Sequence, residues 1–83
     1  MPLYLDIHNK VEGLSVEATQ ANHAKDLAVQ DKYGVKYLKY WYDEKTGRVF
    51  CLVEAPSEEA AVAVHREAHG HVADEIFEVK EGS

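Results

Sequence analysis

The residues best suited to chemistry lie near the C-terminus, in His65-Arg66-Glu67-Ala68-His69-Gly70-His71. On a helix His65 and His69, four apart, stand one above the other on the same face. Two imidazoles placed that way can reach one metal ion, the mechanical reason for His-x-x-x-His in metal sites. Gly70 reads as the helix stop, because the residue just past a last turn usually takes positive φ. The competing reading is an exposed pair in a last turn, where the helix dipole favours cations. The choice depends on whether other ligands arrive at the same place.

The elements that must deliver them can be read in order. Leu3-Tyr4-Leu5-Asp6-Ile7-His8 alternates strictly, which predicts a strand with Leu3, Leu5 and Ile7 on one face and Tyr4, Asp6 and His8 on the other. Ser15 is the expected N-cap of a helix from Val16 to about Lys32, with Glu17 in its first turn. Ala21, Ala24, Leu27, Ala28 and Asp31 follow helical spacing and predict the stripe that packs on a sheet; His23 flanks it, and Asp26 follows three residues later. Tyr33-Gly34 ends that helix. Val35 to Asp43, rich in aromatics, and Arg48 to Glu54 read as strands joined by the polar turn Asp43-Glu44-Lys45-Thr46-Gly47. Ser57 caps a second helix that carries Glu58 and Glu59 in its first turn and runs to Gly70. Asp74 to Val79 reads as the last strand, and Lys80 to Ser83 as a frayed tail.

The order β-α-β-β-α-β with right-handed crossovers predicts one ferredoxin-like α+β domain over residues 1–83. Its four-stranded antiparallel sheet would run in the order 4-1-3-2, with both helices on one face. The bare opposite face predicts a face-to-face homodimer of the dimeric α+β barrel type. In this topology the second helix ends near His8, and His23 lies opposite His65 and His69. Asp6 and Asp26 fall at the same end, so His8, His23, His65, His69, Asp6 and Asp26 are the candidate metal ligands. His71 reads as a nearby surface residue, and Asp26 has a second reading as a surface carboxylate paired with Lys25 or Lys32. One point stays open: if Leu3, Leu5 and Ile7 face the helices, Asp6 and His8 lie on the dimer side; otherwise all the ligands share one pocket.

Imidazole with carboxylate suits Zn, Ni, Co or Cu(II), whereas Mg and Ca want oxygen ligands. Cys51, mid-strand between Phe50 and Leu52, reads as a small buried hydrophobe, with a metal or redox thiolate as the other reading. Tyr37-Leu38-Lys39-Tyr40-Trp41-Tyr42 reads as strand core plus dimer interface, or as one wall of a ligand pocket.

With 83 residues there is room for one thin core, burying roughly 60–65% of the chain's extended surface. A net charge of −6 and scattered Lys and Arg argue against nucleic acid as a partner. One cysteine permits no intramolecular disulfide. No apolar run approaches the ~18 residues of a membrane span, and the N-terminus has neither the basic start nor the apolar core of a signal peptide. The expected location is the cytoplasm.

Over nearly its whole length the sequence also resembles a bacterial family of small uncharacterised ferredoxin-like proteins that includes nickel-binding members. The resemblance is carried by Tyr4-Leu5-Asp6-Ile7-His8, His23-Ala24-Lys25-Asp26 and Tyr33 through Trp41. It continues through Val49 to Ser57 and Val64-His65-Arg66-Glu67-Ala68-His69-Gly70. It implies a dimeric α+β fold and a bound transition metal, nickel foremost; it transfers no ligand set. The expected function is metal storage, buffering or response. The alternative is a small dimeric α+β barrel enzyme using a His/Asp or metal-assisted site on a small molecule.

Overall fold

The structure, a computed structural model, describes residues 1–82, so Ser83 of the expected tail lies outside the described residues. Along the chain run β1 (Leu3–His8), α1 (Val16–Val29), a 3-10 turn (Gln30–Tyr33), β2 (Lys36–Asp43), β3 (Arg48–Glu54), α2 (Glu58–Ala68) and β4 (Glu75–Val79). The four strands form one antiparallel sheet in the order β2-β3-β1-β4, the expected ferredoxin-like arrangement. Both expected N-caps are present: the hydroxyls of Ser15 and Ser57 accept from the backbone N–H of Ala18 and Ala60. Each thereby satisfies a donor that the first helical turn leaves without a partner.

The first strand answers the question its alternation left open. Tyr4, Asp6 and His8 are buried under the helices, while Leu3, Leu5 and Ile7 are half-buried on the opposite face. The polar side of β1 is therefore the inner side. Its register puts Asp6 between Cys51 of β3 and Ile76 of β4, and His8 beside Val49. An apolar core of Tyr4, Tyr37, Val53, Ala61, Val64 and their neighbours fills the rest of the space between sheet and helices. Each fully buried valine there contributes roughly 1.5–3 kcal/mol relative to exposure.

A correction follows for α1. The stripe Ala21, Ala24, Leu27, Ala28 and Asp31 faces solvent, with Leu27 43% exposed. The inward side is instead Thr19, Asn22, His23, Asp26 and Val29, and Asp26 is only 3% exposed. It is therefore no surface partner of Lys25 or Lys32. Lys32 instead pairs with Glu67 of α2 at 2.9 Å, and Tyr33 donates to the same carboxylate at 2.7 Å. The reason lies in what is under the helix. The inner face of β1 and the end of α2 present ionisable groups, so α1 turns its hydrogen-bonding side toward them and leaves its alanines outside.

A bulge in β2 at Leu38 does the same for that strand. Tyr37 pairs with Val53 and Tyr40 with Cys51, so both tyrosines face inward although they are three residues apart. One extra residue reverses the alternation. Trp41 is thereby turned outward, where it is 50% exposed.

Candidate metal centre

α2 supplies the central residue. Its C-terminal turn carries His65, 2% exposed, at a place where the helix dipole favours positive charge. Nδ1 of His65 lies 2.8 Å from Oδ1 of Asp26, and Nε2 lies 3.0 Å from Oδ2 of Asp6. A ring with a carboxylate on each nitrogen is a donor at both, hence an imidazolium. Burial alone would strip its proton, but hydrogen bonds to Asp26 and Asp6 prevail and push the pKa up to about 12. The same contacts act on the acids. Burial tends to raise Asp6, but the hydrogen bond from His65 and the close approach of His8 bring it down to about 2. In Asp26 burial is likewise outweighed by hydrogen bonds from His65 and His69, which lower it. Two carboxylates and one imidazolium leave a net negative charge in a buried place.

His8 closes the site from the end of β1, its Nε2 3.3 Å from Oδ1 of Asp6. That approach lacks hydrogen-bonding geometry, and Oδ1 of Asp6 has no hydrogen-bond partner among the described residues. The other oxygen is served twice, by His65 and by the hydroxyl of Tyr37 at 3.3 Å, which also donates to the carbonyl of Ala61 at 3.0 Å. Burial, and next the charge of Asp6, hold the Tyr37 phenol well above its ordinary pKa, so it stays a donor. β1 is held in place beyond its ladder: the N–H of Asn9 donates to Asp74, and the N–H of Asp74 to the carbonyl of Ile7.

His69 is one turn beyond His65, with Nε2 3.1 Å from Oδ1 of Asp26. Gly70, at φ +80°, reverses the chain, and the backbone N–H of His71 donates to Nδ1 of His69 at 3.1 Å. With Nδ1 engaged in this way, it is Nε2 of His69 that faces the Asp26 carboxylate. His71 is itself exposed, and partial burial, then neighbouring His69, hold its pKa below the ordinary value.

The expected ligands thus fall into two overlapping groups, in each of which the ligand atoms lie within 4.8 Å of one another. The inner group is Asp6, His8, Cys51 and His65, all buried; the outer is Asp26, His65 and His69. His23 belongs to neither. Its ring lies 4.7 Å from that of Tyr40 and lines the cavity that opens beside both groups. That cavity, of about 50 Å³, is bordered by all five histidines of the chain. Cys51 is an addition to the expected ligands: the sequence favours a small buried hydrophobe there, with a metal thiolate as its other reading. Burial pushes its thiol up to about 11, so it is protonated, and a metal ion bound there would displace the proton. The signal for it is pairwise, the facing of Asp6 and Cys51 across β1 and β3.

The donor chemistry of the inner group fits a divalent transition ion. Two imidazoles, a carboxylate and a thiolate make a nitrogen, oxygen and sulfur set, and Asp6 has an oxygen free to join it. Asp26 on the far nitrogen of His65 would then stand as the carboxylate that orients a metal-ligating histidine.

A search of curated proteins found no match. Among solved structures, the crystal structure of SCO4226 from Streptomyces coelicolor A3(2) superposes with a TM-score of 0.91 at 37% identity, covering 98% of this chain and 99% of that one. The profile of the SCO4226-like family, described as nickel responsive protein, matches residues 4–79. The chain belongs to the SCO4226-like family of nickel-responsive proteins.

Proposed function

We propose that this protein binds one divalent transition ion per chain, Ni(II) foremost, through Asp6, His8, Cys51 and Nε2 of His65, and serves to store, buffer or respond to that metal. Zn(II), Co(II) and Cu(II) suit the same donors. The carrying observation is Oδ1 of Asp6, a buried carboxylate oxygen with no hydrogen-bond partner among the described residues. Leaving such an atom unpaired costs about 1–3 kcal/mol or more for a charged group, and a cation removes that cost. The outer group is the weaker resting place, because the lone pair on Nδ1 of His69 is already engaged by the N–H of His71. His69 and Asp26 then act by holding His65. A free cysteine is readily kept as a thiol in a reducing compartment, which supports a cytoplasmic location.

The outer sheet face supports a homodimer as the working unit. Leu5, Ile7, Phe50, Leu52, Trp41 and Phe77 share it, the last two 50% exposed, with Lys36 and Lys39 on its β2 edge and Glu75 on its β4 edge. An isologous pairing would bury the apolar centre and bring the opposite charges of two copies together.

The test is calorimetric titration of metal-free protein with Ni(II), Zn(II), Co(II) and Cu(II), beside Cys51→Ser and Asp6→Asn. The expected result is one tight site per chain. The near-ultraviolet thiolate-to-Ni(II) absorption should disappear in Cys51→Ser, and affinity should fall at least tenfold in both variants. Millimolar binding equal in all three proteins would overturn the reading.

A further inference from the structure

The inner ligands are 1–7% exposed, and the way to them from solvent is the cavity that His8, Cys51 and His65 border. Four histidine rings run in file from the surface to that site. The ring of exposed His71 lies 5.3 Å from that of His69, His69 lies 4.9 Å from His65, and His65 lies 5.1 Å from His8. Side-chain exposure is down to 5% at His69 and 2% at His65. With metal–nitrogen bonds of about 2 Å, rings spaced like this let adjacent nitrogens share one ion in passing. All four border the same cavity, which has the volume of a few water molecules at roughly 10–15 Å³ each.

We propose that His71 captures the incoming ion and passes it inward by ligand exchange, through the Asp26, His65 and His69 group, to the inner site. The inference rests on the metal-binding reading above and gives the outer group its own role, as a transit position. A transit position must hold an ion well enough to accept it and weakly enough to release it. The outer group meets that condition: it gathers three donor residues within reach of one ion, but Nδ1 of His65 is already engaged by Oδ1 of Asp26 at 2.8 Å. The net charge of −6 on the chain favours the approach of cations to the molecule. Gly70 is what aims His71 there: its N–H bonds to the carbonyl of His65 at 2.9 Å, folding the following residue back over the end of α2.

A path residue lowers the barrier in both directions and leaves the end state alone. The experiment is rapid mixing of metal-free protein with Ni(II), followed by the thiolate-to-metal absorption, and release into excess chelator. Wild type, His71→Ala and His71→Asp would be compared, with affinities from calorimetry. His71 is exposed and in a loop, so far-ultraviolet circular dichroism should be unchanged. In His71→Ala, association and release should both slow by about tenfold, with affinity within about twofold, and Asp, itself a ligand, should recover part of the rate. Unchanged rates in His71→Ala, while wild type binds tightly, would overturn the relay and spare the metal site. Faster release with unchanged association would also overturn it, because His71 would then be a resting ligand. If wild type binds no Ni(II) tightly, the metal-binding reading fails, and the relay with it.

Discussion

His65 has a carboxylate on either side of its ring, and the consequences of removing them differ. Asp6→Ala leaves one acid and takes away the proposed metal contact. Breaking a buried ion pair from one side typically costs about 3–5 kcal/mol, a large part of the ~5–15 kcal/mol that holds a small domain together. Urea denaturation of the metal-free variant should show its midpoint falling with little change in slope. Asp26→Asn keeps a hydrogen-bond acceptor for Nδ1 of His65 and leaves the inner group intact. It should fold, and weaken Ni(II) binding by about 10–100-fold, the usual effect of disturbing the partner of a ligating histidine. Loss of affinity in Asp26→Asn with none in Asp6→Asn would move the resting site to the outer group.

At the scale of elements, α2 matters most for where it ends. Its last turn carries His65, and its stop at Gly70 places His71. A side chain at φ +80° is disfavoured by about 1–2 kcal/mol, and nothing lies within 4 Å of where its Cβ would be, so sterics add no further penalty. Gly70→Ala should lower stability by about that amount, read by thermal melting, and should slow Ni(II) entry if His71 is displaced. A melting temperature equal to wild type would mean that the turn accommodates the substitution by shifting. The strands contribute through register: the bulge at Leu38 turns both Tyr37 and Tyr40 toward the site, one to donate to Asp6 and the other to pack on His23.

For the whole molecule, the buried charges predict how stability depends on pH without metal. Asp6 is lowered from 3.8 to about 2, so its contribution is present above its unfolded value and is lost as pH falls through that window. His65 is raised from 6.5 to about 12, so its contribution is full below 6.5 and declines as pH rises toward 12. Melting in the presence of chelator should therefore peak between about pH 4 and 6.5 and decline on both sides. A profile flat from 6.5 to 10 would show that His65 is not an imidazolium in the folded state. The exposed sheet face makes a second prediction at this scale. Sedimentation should give a dimer for wild type, and Phe77→Asp, which puts charge in the centre of the apolar face, a monomer. Monomeric wild type at tens of micromolar would rule out the face-to-face assembly.

The element order, the sheet order, the two serine caps and the glycine stops can all be read from the sequence, because they follow from local periodicity and turn chemistry within a few residues. So can the spacing of His65 and His69. What spacing cannot show is which side of an alternating strand faces in, and here hydrophobicity points the wrong way. The oily side of β1 faces outward, and its acid and histidine face the helices. The alanine stripe of α1 misleads for the same reason, since burial of Asp26 is favourable only once His65 and His69 are there to meet it. For Cys51 the sequence leaves core thiol and metal thiolate open, and its pairing with Asp6 across two strands distant in sequence favours the second. The chain by itself determined the elements and the presence of five histidines. Only tertiary structure decided that they border one cavity, because a buried charge is tolerated only where its partners arrive from other elements.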